Sequence, residues 1–125
     1  MTVTALDIVE FAAKAETITL RVGDVLFREG DDGDALYIVR RGTLQIVSGS
    51  TVYETVTAGG IVGEMAIIEE GAPRSATVIA TAFAELIKID TSKFLQLLAE
   101  TPEFALTVMQ AMSRRLRIMN RRYRA

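Results

Sequence analysis

The sequence predicts a mainly β protein, an antiparallel β-barrel or sandwich flanked by helices. Three observations carry that expectation. Short runs rich in β-branched residues recur between positions 17 and 89, separated by Gly and Asp clusters at intervals of about 8 to 12 residues, the rhythm of an antiparallel barrel or sandwich. Helical periodicity replaces that rhythm towards both ends of the chain. Finally, 125 residues that are 50% apolar and include two prolines suit one globule. A core of this length buries roughly 65 to 70% of the surface its unfolded chain exposes, so a single domain over 1–125 is expected.

Residues 4–14 (TALDIVEFAAK) put Leu6, Ile8, Val9, Phe11 and Ala12 mostly on one side at helical spacing and predict a short N-terminal helix. The β region then spans 16–90, with the runs TITLRV, DVLFR, ALYIV, TLQIV, TVYETV, ATVIA and AELIKI. Breaks fall at Gly23-Asp24, 30–34, Gly42, Gly49-Ser50, Gly59-Gly60 and 71–73, where Gly and Asp favour turns. Two helices are expected over 91–123. The first, 92–99, can be capped by Asp90 or Thr91, and the second opens with Thr101 as N-cap and Pro102 at the first helical position. In the second, Ala105, Met109, Met112, Leu116, Met119 and Tyr123 follow the a/d spacing of a helix seam. Phe104, Val108, Ala111 and Ile118 form another stripe. One stripe packs on the barrel and the other faces a second copy, giving a homodimer; the alternative is that both cover the same barrel.

Composition excludes whole classes of function. With no His and no Cys, the chain lacks the usual transition-metal ligands, a thiolate nucleophile and the commonest general base, which argues against metal or hydrolytic chemistry and predicts no catalytic residues. The longest uncharged stretch, 42–53, is too short and too polar for a bilayer span. The first residues do not read as a secretory leader, and the lack of Cys removes any disulfide framework, so a cytoplasmic setting is expected. The net charge of −2 is unevenly placed. Six of the 14 basic residues are arginines between Arg114 and the C-terminus, leaving the rest of the chain with eight against all 16 acidic groups. Such a tip can suit nucleic acid or anionic lipid, but more often it is the solvated face of a helix whose C-terminal dipole favours positive charge.

The segment 62–77 departs from strand patterning where a simple turn is expected. Gly59, Gly60 and Gly63 permit sharp backbone geometry, and 65–69 can form one helical turn with N–H groups directed back towards Gly63, an arrangement that attracts an anion. Arg74 can offer phosphate a bidentate fork and Ser75 a hydroxyl donor. Glu64 fits the same place if the ligand also carries a sugar hydroxyl, since a carboxylate accepts from OH. A phosphorylated sugar satisfies both; an ion pair between Glu64 and Arg74 bracing the loop satisfies the residues equally well.

The segments 26–42 (LFREGDDGDALYIVRRG) and 63–76 (GEMAIIEEGAPRSA) together resemble the cyclic-nucleotide-binding domain of catabolite activator proteins, cyclic-nucleotide-dependent kinases and cyclic-nucleotide-gated channels. The resemblance covers residue 16 to about 123 and implies a double-stranded jelly roll with a phosphate-binding cassette at 63–76. By it, Glu64 takes the ribose 2′-OH, Arg74 the cyclic phosphate, and the Ala66 N–H and Ser75 further bonds, within a cassette that includes Gly63 and Ala76. Ile46, Val62 and Met65 line the base pocket. The final helix acts as a lid and often as a dimer seam. Where the bacterial activators offer hydroxyls to adenine, Met119 and Asn120 stand here; Asn120 both donates and accepts, leaving cAMP and cGMP open as ligands. The implied function is a non-enzymatic receptor that signals by moving its C-terminal helix to an unidentified effector, and the alternative is the same fold used as a ligand-independent dimerisation or docking module. A metal-dependent jelly-roll enzyme is disfavoured by the lack of His. No helix-turn-helix pair follows the barrel, so sequence-specific DNA binding is not expected.

Overall fold

The computed structural model describes residues 16–123, so the helix expected at 4–14 lies outside the described residues. Eight strands occur among them: β1 (Glu16–Leu20), β2 (Val25–Phe27), β3 (Ala35–Arg41), β4 (Leu44–Ser48), β5 (Thr51–Val56), β6 (Ile61–Val62), β7 (Thr77–Ala80) and β8 (Ala84–Asp90). They form two four-stranded antiparallel sheets, in the orders β1-β8-β3-β6 and β2-β7-β4-β5, a roll of two facing sheets and not a closed barrel. Seven strands correspond to the seven predicted runs. The eighth, β6, is two residues long and pairs with β3 at Tyr37↔Val62 and Ile38↔Ile61.

Strand β3 shows why the roll has two cores. Its five residues from Ala35 to Val39 are all buried, as a strand covered on both faces requires, and the period of two divides them. Leu36 and Ile38 join Ile61, Ile87 and Ile89 on the face that meets the helices, packing with Phe94, Leu97, Phe104 and Val108. Ala35, Tyr37 and Val39 face the other sheet and meet Leu44, Val56, Val62 and Val78. Each fully buried large apolar side chain contributes about 1.5–3 kcal/mol.

Three helices follow from local signals. Helix α1 (Met65–Ile68) is a single turn between β6 and β7. Helix α2 (Thr91–Glu100) is capped by Asp90, whose carboxylate accepts from the Lys93 N–H at 2.8 Å. Thr101 serves two helices: its N–H donates to Leu97 and closes α2, and its carbonyl accepts from Phe104 to open α3 (Glu103–Tyr123). On α3, Phe104, Val108 and Ala111 are buried against the roll, with Met112 packed beside them. Of the predicted seam, Met109 and Leu116 are exposed while Ala105 and Met112 are half-buried; the side chains of Met119 and Tyr123 lie outside the described set. No helix among the described residues is long and apolar enough to cross a membrane.

Candidate ligand-binding site

The site begins where β6 ends. Gly63 adopts φ +79°, a left-handed conformation that glycine accepts without strain, and a Cβ there would stand 2.7 Å from Arg74 Nη1. The chain then turns through α1 and returns at Arg74, whose backbone is tied on both sides to the β2–β3 loop: Arg74 N–H donates to Asp31 and Gly30 N–H donates to Arg74, each at 2.8 Å. Its side chain is 5% exposed, lies 4.1 Å from the centre of the Phe27 ring, and donates from Nη1 to the Gly63 carbonyl at 3.0 Å. The Nε is buried without a partner among the described residues. Burial pulls this guanidinium below its ordinary pKa, against the pull of Tyr37, Asp34, Asp31 and Glu64 in the other direction. Among the described residues its hydrogen-bonded neighbour is the Gly63 carbonyl, and a buried guanidinium bonds most strongly to an anion. Gly33 leaves the room: a Cβ there would come 2.2 Å from Nε.

Glu64 is 4% exposed, and its partner is not Arg74 but Arg115 of α3. Arg115 Nη1 donates to Glu64 Oε1 at 2.7 Å, Nε to Glu54 Oε1 at 3.0 Å and Nη2 to Glu54 Oε2 at 3.2 Å, while Nη2 also donates to the Ile61 carbonyl. Burial lowers the pKa of this guanidinium, but Glu64 and Glu54 outweigh it and the net shift is upward. A carboxylate offers about four acceptor sites, so Glu64 keeps capacity for a ligand hydroxyl while holding Arg115. The loop-bracing ion pair between Glu64 and Arg74 is therefore not what this structure contains.

Sequence reasoning missed Arg115, and the signal was there. The apolar stripe Phe104, Val108, Ala111 and Ile118 leaves a gap of seven between its last two members, and at the 4-then-3 spacing of the stripe that gap is filled by position 115. Within six C-terminal arginines, this one continues an inward-facing row.

Ile46, Gly63, Glu64, Met65, Ala66, Arg74, Ser75 and Ala76 border one small cavity of about 60 Å³ at the cassette. A second, of about 620 Å³, shares Ile46, Glu64, Met65, Ser75, Ala76 and Arg115 with it and runs under α3 past Tyr53, Met112 and Ile118. That size suits a small-molecule ligand. Three of the expected site groups lie away from the cavities or already have a partner. Val62 is fully buried in the core between the sheets and borders neither cavity, because its pairing with Tyr37 turns it inward. Asn120 is exposed and borders neither: five positions beyond Arg115, it lies about 140° around the helix from it. The Ala66 N–H, assigned to phosphate by resemblance, donates to the Gly63 carbonyl at 3.3 Å.

Fold and site together define a two-sheet roll holding a buried cationic donor and a buried carboxylate beside one cavity, the outline of a receptor for a small ligand with an anionic group and a hydroxyl. The chain belongs to the cyclic nucleotide-binding domain family, whose model matches residues 17–101. Among curated relatives, the Pycsar effector protein BcPycTIR of Burkholderia cepacia is 33% identical over 107 residues, covering 86% of this chain and 35% of that protein. Among solved structures, the Catabolite Activator Protein of Thermus thermophilus superposes with a TM-score of 0.79 at 26% identity over 94% of this chain and 57% of that one. The cAMP-bound PfPKA-R (141-441) superposes at 0.74 and 24% identity over 85% of this chain and 36% of that one, a likeness of fold. The chain spans 7 to 35% of the length of the first curated relatives it matches.

Proposed function

We propose that this chain is a non-enzymatic cyclic-nucleotide receptor module that binds cAMP or cGMP, with Arg74 and Ser75 on the cyclic phosphate, Glu64 on the ribose 2′-OH, and the base in the larger cavity beneath α3. The observation that carries the reading is the buried, unpartnered Nε of Arg74 beside a cavity that Glu64 also borders. A buried charged donor without a partner costs stability, and an anion at that point recovers it. Arg115 supplies the link to output: it ties α3 to the carboxylate the ribose uses, so ligand occupancy and helix position bias one another. The chain works as a homodimer through α3 in the cytoplasm and passes its signal to an effector protein. Calorimetric titration with cAMP, cGMP and the 2′-deoxy form of the better ligand tests the reading. Binding of a parent nucleotide with clearly weaker binding of its 2′-deoxy form supports it. No binding of either nucleotide overturns it in favour of a ligand-independent module.

A further inference from the structure

The larger cavity has a polar corner that neither phosphate nor ribose uses. Ser48 on β4 donates its hydroxyl proton to Glu29 Oε1 at 2.7 Å, and both side chains border the cavity. Backbone bonds fix this corner to the cassette. Glu29 N–H donates to Thr77 Oγ1 at 2.9 Å, Thr77 pairs in register with Val47 beside Ser48, and Gly30 N–H donates to the Arg74 carbonyl. The residues that grip the phosphate and the Glu29–Ser48 pair are thus held in one frame. Elsewhere the wall beyond the cassette includes Ile46, Met112, Leu116 and Ile118, apolar side chains suited to the faces of a planar base. A base also has a polar edge, and that edge must be matched.

The proton count decides what the corner recognises. Ser48 has one hydroxyl proton and spends it on Glu29, and a carboxylate has none, so the pair presents acceptors only. Acceptors match a donor. Building on the cyclic-nucleotide reading above, we propose that Glu29 and Ser48 read the base and select one whose exocyclic amino group supplies two or more donor protons over one whose edge offers a keto oxygen and a single ring N–H. A base without the amino group can satisfy one acceptor of this corner through its ring N–H, but its keto oxygen sets acceptor against acceptor at the other. Glu29 sits at the exposed rim, so the discrimination is smaller than a buried site gives.

The test compares three ligands that share phosphate and ribose: cAMP, cGMP and cIMP, of which only cIMP lacks an exocyclic amino group. On the wild-type protein, calorimetry is expected to show cAMP or cGMP binding at least about tenfold tighter than cIMP. In Glu29→Gln, whose amide also donates, and in Ser48→Ala, the same ratio should fall to within about threefold. A ratio taken on one variant cancels any loss of fold or of phosphate grip. Equal binding of all three by wild type, or an unchanged ratio in both variants, overturns the base-reading role while leaving the receptor reading intact. Failure of all three to bind wild type overturns both.

Discussion

Arg74 and Gly33 act as a pair, because the space that lets the guanidinium lie buried with a spare donor exists only while position 33 has no side chain. Losing a charge-assisted contact to a phosphate costs on the order of 1.5–3 kcal/mol, so Arg74→Ala should weaken nucleotide binding at least about tenfold. Gly33→Ala should do nearly the same without touching a ligand-contacting residue, since its Cβ would stand 2.2 Å from Nε and 2.3 Å from Cζ of Arg74 and force the group aside. Titration of both variants, each checked for a cooperative melt, decides this. Wild-type affinity in a folded Gly33→Ala shows that the guanidinium has another place to go, and wild-type affinity in Arg74→Ala removes it from the site.

At the scale of elements, α3 is held by two unlike grips: the buried row Phe104, Val108 and Ala111, and the Arg115 fork on Glu54 and Glu64. The fork is the vulnerable one. Arg115 is 16% exposed, with Glu54 at 12% and Glu64 at 5%, so Arg115→Ala strands the Glu64 carboxylate in poor solvent, leaves Glu54 with Arg114 at 3.4 Å, and should cost about 3 kcal/mol. Scanning calorimetry should show a melting temperature lower by well over five degrees, since each kcal/mol is worth several degrees in a domain of about this size. Amides of α3 should then exchange faster while those of β3 and β8 stay protected; uniform loss of protection means the fork braces the whole roll. The strands that frame this helix were legible because β-branched runs between Gly and Asp breaks admit few other structures. Strand β6 was not, since two residues next to a glycine pair carry no periodicity. The cassette was legible from Glu64, Arg74 and Ser75, whereas Arg115 hid in a run of arginines that reads as a solvated helix end. Asn120 was misplaced because counting along a sequence does not say which way a helix is rotated on its roll, and only the buried row fixes that.

The whole molecule poses a problem that a single copy leaves open. Leu106, Met109 and Leu116 are 58%, 53% and 61% exposed and share one side of α3, roughly 120° or more around the helix from the buried Phe104. Such an exposed apolar stripe marks an interaction surface. The proposed homodimer would then use a rotated seam: Met112 borders the cavity, and Leu106, Met109 and Leu116 would meet their counterparts across a two-fold axis. Ligand cavity and proposed seam then adjoin one another on the same helix, sharing Leu116, and Met109, an adaptable residue, suits an interface that must shift. Leu116→Glu places a like charge in the seam from each copy, a burial costly enough that the dimer should dissociate. Because Leu116 also borders the cavity, Met109→Glu, which does not, should dissociate it as well. The exposed Arg117 lies beside the stripe and would repel its counterpart across it, so association should strengthen as added salt screens that charge. Sedimentation velocity at tens of micromolar, with and without nucleotide, measures this. A dimer that both variants abolish and salt reinforces places the seam on this stripe. A wild-type monomer in the presence of ligand, or dimers indifferent to both substitutions, means that the stripe serves a different partner and that the nucleotide signal leaves the roll by another face.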